Sequence, residues 1–138
     1  MTRITCITGM LFLIISCTNP QKLITDPSKD RICFGRTGGF TNIPMDYVLF
    51  DNGQLFKIDQ EVLVKICNPG RKQYTELENQ MNAIEFMKME LNEPGNITYY
   101  IKLVKSGKEK EVKWTDSSEN KSIKELYNML LATIKTQK

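Results

Sequence analysis

Ser16 and Cys17 carry the most specific pattern in the sequence, because a small residue followed by cysteine directly after an apolar run is typical of cleavage by a signal peptidase and acylation of the cysteine. A mostly apolar run, Cys6 to Ile15, follows the single positive charge of Arg3. Ser16 is the small residue that a signal peptidase needs beside its cut. The sequence therefore predicts that residues 1–16 are a signal peptide. It also predicts a mature chain that begins at Cys17 and carries a thioether-linked diacylglycerol and an N-acyl chain such as palmitate.

This signal also predicts where the protein resides. A membrane-spanning helix needs about 20 apolar residues, and the run before Ser16 offers about half of that. Two or more acyl chains on one residue hold a protein on a bilayer almost permanently. Residues 18–20 lack the acidic run that accompanies surface export. We therefore expect an outer-membrane lipoprotein of the cell envelope, attached through Cys17 and facing the periplasm.

Cys33 and Cys67 are the cysteines that remain after the signal peptide and the lipidated residue are set aside. One alternative is a disulfide, which the predicted compartment allows. Such a bridge would close a loop of about 35 residues and contribute roughly 3 to 4 kcal/mol. The other alternative is two free, buried thiols that pack as small apolar side chains. Two cysteines in a chain without histidine do not favour a structural zinc site.

Several function classes are disfavoured by composition. The sequence has no histidine, which removes the commonest general base and metal ligand in proteins. Its acidic residues do not recur at the spacing of a metal-binding loop or of a glycosidase pair. The formal net charge of +3 is small and evenly spread, unlike that of a nucleic-acid-binding domain. We therefore predict no enzymatic activity, no metal, no small-molecule cofactor and no nucleic-acid partner.

The glycine-rich segment Phe34–Thr41 is the remaining candidate for a functional site. Its three glycines fall within five positions, which indicates unusual dihedral angles or a close approach by another group. It matches neither phosphate-binding nor dinucleotide-binding patterns. One interpretation is a strained turn with both phenylalanines held in the core. The other is an exposed interaction loop in which Arg36 and Phe40 contact an envelope protein while Gly38 and Gly39 shape the backbone.

Short strands and two helices are expected to position this segment. Residues 17–30 comprise the lipidated cysteine and a proline-containing stretch without apolar periodicity, which is typical of a flexible tether. Strand-like runs follow at Arg31–Arg36, Met45–Phe50 and Gln54–Ile58, and Asp51-Asn52-Gly53 predicts a hairpin between the last two. Glu61–Ile66 either adds a strand or continues the previous one after a bulge.

The second half of the chain alternates between helical and strand patterns. An apolar stripe that starts at Tyr74 predicts a helix over Lys72–Met87. Ile97–Lys105 and Glu109–Thr115 predict a second hairpin, and a stripe from Ile123 predicts a C-terminal helix with Ser122 and Glu125 as its candidate capping box. Trp114, the only tryptophan, is expected to be a buried ring rather than a ligand platform.

The order of these elements, β-β-β-α-β-β-α, predicts the fold class. Segregated strands and helices favour an α+β domain. We expect one such domain over residues 31–138, with an antiparallel sheet of four to five strands and both helices packed on one face.

The chain resembles a group of small envelope lipoproteins from Bacteroidota. The resemblance rests on Phe34-Gly-x-x-Gly-Gly-Phe-Thr41, Asp51-Asn-Gly, Pro94-Gly-Asn-x-x-Tyr-Tyr-Ile101, Val112-x-Trp114 and Leu126-Tyr127. It implies a cell-envelope location and no particular activity. Members carry further glycines where this chain has Thr37 and Asn42.

A shorter similarity links the chain to emfourin-like inhibitors of thermolysin-type peptidases. It consists of Gly38-Gly39-Phe40 opening a β-rich domain and a later Tyr-x-Ile strand. The resemblance implies that the loop around Phe40 would sit in or near a protease cleft. Inhibition of a metallopeptidase is therefore the alternative functional hypothesis.

Replacing Cys17 tests the lipoprotein signal. Because the thiol is the site of acylation, Cys17→Ala should yield an unlipidated chain that is uncleaved or released from the membrane. Fractionation and metabolic labelling with a radioactive fatty acid measure this. A variant that is still processed and labelled would show that Cys17 is not the lipidated residue.

Overall fold

The computed structural model describes residues 24–135, so the predicted signal peptide and Cys17 lie outside the described residues. Within that range six strands and two α-helices follow in the order β-β-β-β-α-β-β-α. The strands are β1 (Arg31–Gly38), β2 (Met45–Phe50), β3 (Leu55–Asp59), β4 (Val62–Cys67), β5 (Ile97–Lys105) and β6 (Lys108–Trp114). The helices are α1 (Arg71–Ala83) and α2 (Lys121–Lys135), with a short 3₁₀ helix at Phe86–Lys88 between α1 and β5.

The strands form one antiparallel sheet in the order β4-β3-β2-β1-β5-β6. The predicted α+β class is confirmed, and the sheet has six strands where four to five were predicted. The additional strand is β4, which follows a two-residue turn at Gln60 and Glu61. Both turn residues have positive φ, 46° and 68°, as a tight hairpin turn requires. Glutamine and glutamate are not typical hairpin-turn residues. The sequence therefore did not decide between a separate strand and a continuation of β3.

One face of the sheet, here called the helix-covered face, packs against both helices. Ile32 and Phe34 of β1 are completely buried on this face. The helices contribute the apolar stripes that their spacing predicted. They are Tyr74, Leu77 and Met81 from α1 and Ile123, Leu126, Tyr127 and Leu130 from α2. This layer is the main core of the domain.

The other face, here called the open face, carries a smaller apolar cluster. Its buried members are Val48, Phe50, Phe56 and Leu63, and Ile24 packs against them. The adjoining segment is fastened by hydrogen bonds. Nη1 of Arg31 donates to the carbonyl oxygens of Asp26 at 2.7 Å and Lys29 at 2.9 Å. Within a stretch that was predicted to be part of a flexible tether, Ile24 therefore packs on the sheet, and the backbone at Asp26 and Lys29 is hydrogen-bonded to β1.

Cys33 and Cys67 are free thiols. Cys33 belongs to the cluster on the open face, whereas Cys67 lies in the core under the helices. The strands that carry them, β1 and β4, are separated by β2 and β3, and three strand spacings amount to about 14 Å. This separation exceeds the reach of a disulfide. Of the two alternatives, the structure therefore has the pair of unbridged thiols, and burial raises the pKa of both.

Two helix boundaries differ from the predicted ones. The first helix ends at Ala83 instead of Met87 because Glu85 adopts a left-handed conformation with φ 52°. The second helix is capped by Asn120, whose Oδ1 accepts the backbone N–H of Ile123 at 3.1 Å, rather than by Ser122. Among residues 24–135, no helix is long and apolar enough to cross a membrane.

Gly35 permits a close contact across the middle of the sheet. It pairs with Asp46 of β2 on one side and with Tyr100 of β5 on the other. The Tyr100 hydroxyl donates to Oδ1 of Asp46 at 2.8 Å. This hydrogen bond links β5 to β2 across the glycine on β1. A Cβ atom at position 35 would lie 2.0 Å from the carbonyl oxygen of Met45 and 2.9 Å from Oδ1 of Asp46. Position 35 therefore has no room for a side chain.

We expect Gly35→Ala to destabilise the domain by about 2 to 3 kcal/mol or more, because the new methyl group forces β1 and β2 apart. Urea denaturation followed by circular dichroism measures the free energy of unfolding. The matched control is Gly107→Ala, where φ is +76° and no atom lies within 4 Å of the added Cβ. That change should cost only about 1 kcal/mol of backbone strain. Equal losses in the two variants would contradict the packing argument.

Candidate functional site

The loop between β1 and β2 ends in an exposed β-turn. The backbone N–H of Asn42 donates to the carbonyl oxygen of Gly39 at 3.2 Å, which places Phe40 and Thr41 at the tip. The base of the loop is tied to the start of β5, because the N–H of Gly39 donates to the carbonyl oxygen of Asn96 at 2.9 Å. The loop therefore has a fixed base and a projecting tip.

Gly38 and Gly39 have a structural role in this loop. Both have positive φ, 86° and 84°, which side chains with a Cβ rarely tolerate. A Cβ at Gly38 would also lie 2.0 Å from the carbonyl oxygen of Asn96. The two glycines let the chain turn out of the sheet while β1 stays paired with β5.

The two phenylalanines of the segment have opposite environments. Phe34 is completely buried, whereas Phe40 is fully exposed with a relative accessibility of 106 %. Ile43, on the same loop, is 66 % exposed, and the side chain of Arg36 is also exposed at the end of β1. The interpretation that both rings are held in the core is therefore wrong for Phe40. The exposed placement agrees with the alternative, in which the loop presents its side chains to a partner.

A row of side chains crosses four strands beside this loop. On the helix-covered face, Arg36 of β1 is flanked by Met45 of β2 and Tyr99 of β5. Tyr99 is in turn paired with Trp114 of β6. The α2 residues Lys124, Tyr127, Asn128 and Leu131 face this row, since a spacing of three and four places them on one side of the helix. The row and the helix form the two walls of a pocket.

The pocket has a volume of about 500 Å³, within the range of about 300 to 1,000 Å³ that is typical of small-molecule sites. Its apolar lining is mainly aromatic, with Tyr47, Tyr99, Trp114 and Tyr127. The rings of Tyr99 and Trp114 lie nearly parallel, with centroids 5.9 Å apart and an interplanar angle of 21°. Tyr127 stands edge-on to both, at 5.5 and 5.3 Å. The three rings therefore pack on one another as a rigid aromatic group, in which Trp114 and Tyr127 are 2 % and 7 % exposed and Tyr99 is half-buried.

Charged groups surround the opening of the pocket. Arg36, Lys124 and Asp116 are among its lining residues. The Lys124 ammonium donates to the backbone carbonyl of Asp116 at 2.7 Å. Burial and the Asp116 carboxylate raise the pKa of the Tyr99 hydroxyl, and the Arg36 guanidinium opposes that rise. Burial raises the pKa of Tyr127 to about 12, so the phenols stay protonated at neutral pH.

The sequence did not single out this pocket. Tyr47, Tyr99 and Tyr127 occupy positions that an apolar stripe or strand alternation assigns to the core. Trp114 is buried as predicted, with 2 % of its surface exposed, yet its ring also lines the pocket. A sequence signal for the pocket did exist, because polar residues interrupt or adjoin these apolar strand and helix patterns. They are Arg36 and Asp116 near the strand ends and Lys124 and Asn128 on the helix. These residues come together only when β1 pairs with β5 in the observed register. The sequence does not reveal that pairing.

Among residues 24–135, no group of three or more histidine, cysteine or acidic side chains is arranged to hold a metal ion. No model of a known protein family matches the chain, and no curated protein matches it either. The fold and the site define its class: an open antiparallel sheet covered on one face by two helices, with an aromatic pocket and an exposed apolar loop at one end of the sheet.

The buried phenols predict how stability depends on alkaline pH. Burial raises the pKa of Tyr74, Tyr99, Tyr100 and Tyr127 in the folded protein. Above about pH 10 the unfolded chain loses phenol protons that the folded protein retains, so the free energy of unfolding falls as the pH rises. We expect little change from these groups below pH 10 and a decline from about pH 10 to 12, measured by urea denaturation at each pH.

Tyr127→Phe is the control for this pH dependence. Each phenol whose pKa is raised contributes up to about 1.4 kcal/mol per pH unit while only the unfolded form is ionised. Removing the Tyr127 hydroxyl should make the alkaline decline shallower. If wild type and variant lost stability in parallel, the raised pKa of Tyr127 would be refuted.

Proposed function

We propose that this protein is a lipid-anchored, non-enzymatic binding module of the bacterial cell envelope and that the loop between β1 and β2 contacts its protein partner. The observation that carries this proposal is the full exposure of Phe40 at the tip of a loop whose base is hydrogen-bonded to β5. A large aromatic ring held in water by a defined backbone gains apolar contacts only from another molecule.

The geometry of the loop suits recognition of a protein surface. Aromatic and arginine side chains supply most of the binding free energy in many interfaces. Here Phe40 projects from the tip, Ile43 extends the apolar surface, and Arg36 lies at the base. Since the hydrogen bonds of the turn and of the loop base already restrain the backbone, a partner has less loop entropy to remove on binding. The envelope location is supported by the signal that ends at Cys17, and the non-enzymatic role by the absence of histidine from the sequence.

Inhibition of a metallopeptidase is a second candidate, favoured by one feature of the same loop. Gly39, which directly precedes Phe40, has a positive φ of 84° and only side-chain atoms of Ile97 near its missing Cβ. A glycine beside Phe40 lets the backbone of another molecule approach closely. Mixing the purified full chain with a panel of metallopeptidases should give stoichiometric inhibition if this candidate is right. A panel that retains full activity at a molar excess of the chain would exclude it for those enzymes.

If the loop contacts the partner, replacing Phe40 should lower partner affinity without lowering the free energy of unfolding. Because the ring makes no buried contact, Phe40→Ser should change the free energy of unfolding by less than about 0.5 kcal/mol. Partner affinity should fall by at least about tenfold, as for an interface hot spot. The measurements are urea denaturation and quantitative pull-down of envelope proteins from detergent-solubilised membranes.

Met87→Ser is the matched control for that pull-down. Met87 is another partly exposed apolar residue, with 42 % of its surface accessible, and it lies on the 3₁₀ helix. The set of co-purified proteins should match that of the wild type. If Phe40→Ser also retained every partner that the wild type captures, the loop would not be the interaction element.

A further inference from the structure

The aromatic pocket between α2 and the row Met45, Arg36, Tyr99 and Trp114 suggests an activity beyond protein recognition. Its volume of about 500 Å³ suits a small organic molecule rather than a folded partner. Phe40 is not among its lining residues, so the pocket and the tip of the loop can be tested separately.

The apolar walls favour a flat ligand body. Tyr99 and Trp114 present nearly parallel rings that neighbour each other across β5 and β6, and Tyr127 stands at 71° and 81° to them. Aromatic rings pack well against one another in offset-stacked and edge-to-face arrangements. A flat ring that enters the pocket can pack against the parts that these rings leave accessible, above all that of the half-buried Tyr99. Met45 and Leu131 complete the apolar lining.

The charges at the opening favour an anionic group on the ligand. Two cationic side chains, Arg36 and Lys124, line the pocket against one carboxylate, that of Asp116. Among the described residues, neither cation forms an ion pair. The Asp116 carboxylate raises the pKa of the Tyr99 hydroxyl, and the Asp116 backbone carbonyl accepts the Lys124 ammonium at 2.7 Å. An incoming carboxylate can therefore accept hydrogen bonds from the Arg36 guanidinium without displacing an internal ion pair.

We propose that this pocket binds a small organic carboxylate whose acid group is attached to an aromatic or similarly flat apolar body. The body lies against Tyr99, Trp114 and Tyr127, and the carboxylate lies at the opening between Arg36 and Lys124. A cationic ligand would also meet four aromatic rings, but it would approach two like charges.

The sequence supplies a direct probe of occupancy, because Trp114 is its only tryptophan. The experiment titrates the purified full chain, in one detergent throughout, with phenylacetate, phenylacetamide or benzyltrimethylammonium while tryptophan fluorescence is recorded. These probes share a ring and differ in charge. A ligand of about ten heavy atoms is expected to bind in the millimolar range, so the titrations extend to about 20 mM.

We expect a saturable change with phenylacetate and a Kd at least about threefold lower than that of phenylacetamide, since a single charge contact at a half-exposed site is modest. Raising the salt concentration to about 0.5 M should reduce this preference. Arg36→Gln should bring the Kd values for phenylacetate and phenylacetamide within about twofold of each other. Lys124→Gln should also raise the Kd for phenylacetate. Both side chains lie at the opening, so the variants are expected to fold, as circular dichroism will show.

Arg71→Gln is the matched control, because it removes an exposed arginine at the start of α1 and should retain the full preference for phenylacetate. Equal affinity for the acid and the amide would overturn the proposal. Tighter binding of benzyltrimethylammonium would overturn it in favour of a cation site. The absence of a saturable change with any probe would show that the pocket does not bind such ligands.

Discussion

The pairing of β1 with β5 is the contact on which the rest of the molecule depends. The two strands align over eight consecutive pairs, from Arg31 with Val104 to Gly38 with Ile97. This ladder joins a four-stranded meander to a separate hairpin, and α1 spans the connection between them. Because side chains alternate between faces, a slip of one residue would move Tyr99 to the open face and Tyr100 into the core. The positions of Tyr99 and, through its pairing with β6, of Trp114 follow from this register.

The open face has two chemically distinct halves. Beside β2 and β3 it is apolar and partly covered, because Ile24 packs on the cluster formed there. Beside β5 and β6 it carries ion pairs, with Lys102 and Glu109 at 2.9 Å and Lys113 and Glu111 at 3.0 Å. Exposed pairs of this kind add little stability. The covered half therefore contributes to packing. The charged side chains of the other half make a sheet surface that no helix covers hydrophilic.

Local patterns in the sequence predicted most of the elements, and long-range pairing accounts for what was missed. Met45–Phe50 and Ile97–Lys105 were predicted with the observed bounds, because alternation and turn residues such as Asn52-Gly53 depend only on neighbours. The strand after the turn at Gln60 was predicted only as one of two alternatives, because glutamine does not indicate a positive φ. Whether Phe40 is buried could not be decided from sequence, since burial depends on where β5 holds the base of the loop. The pocket was missed for the same reason, as its walls come from five separate elements.

The docked segment before β1 has a geometric consequence for how the molecule can be held. Asp30 accepts the backbone N–H of Ser106 at 2.8 Å, so the chain enters the sheet beside the turn between β5 and β6. The loop with Phe40 and the opening of the pocket lie at the other end of β1, eight residues further on, a distance of about 24 Å along the strand. The chain therefore enters β1 at one end of the strand, and the loop with Phe40 lies at the other end. If the chain is anchored upstream of residue 24, as we propose, the loop lies at the end of β1 that is remote from the anchor.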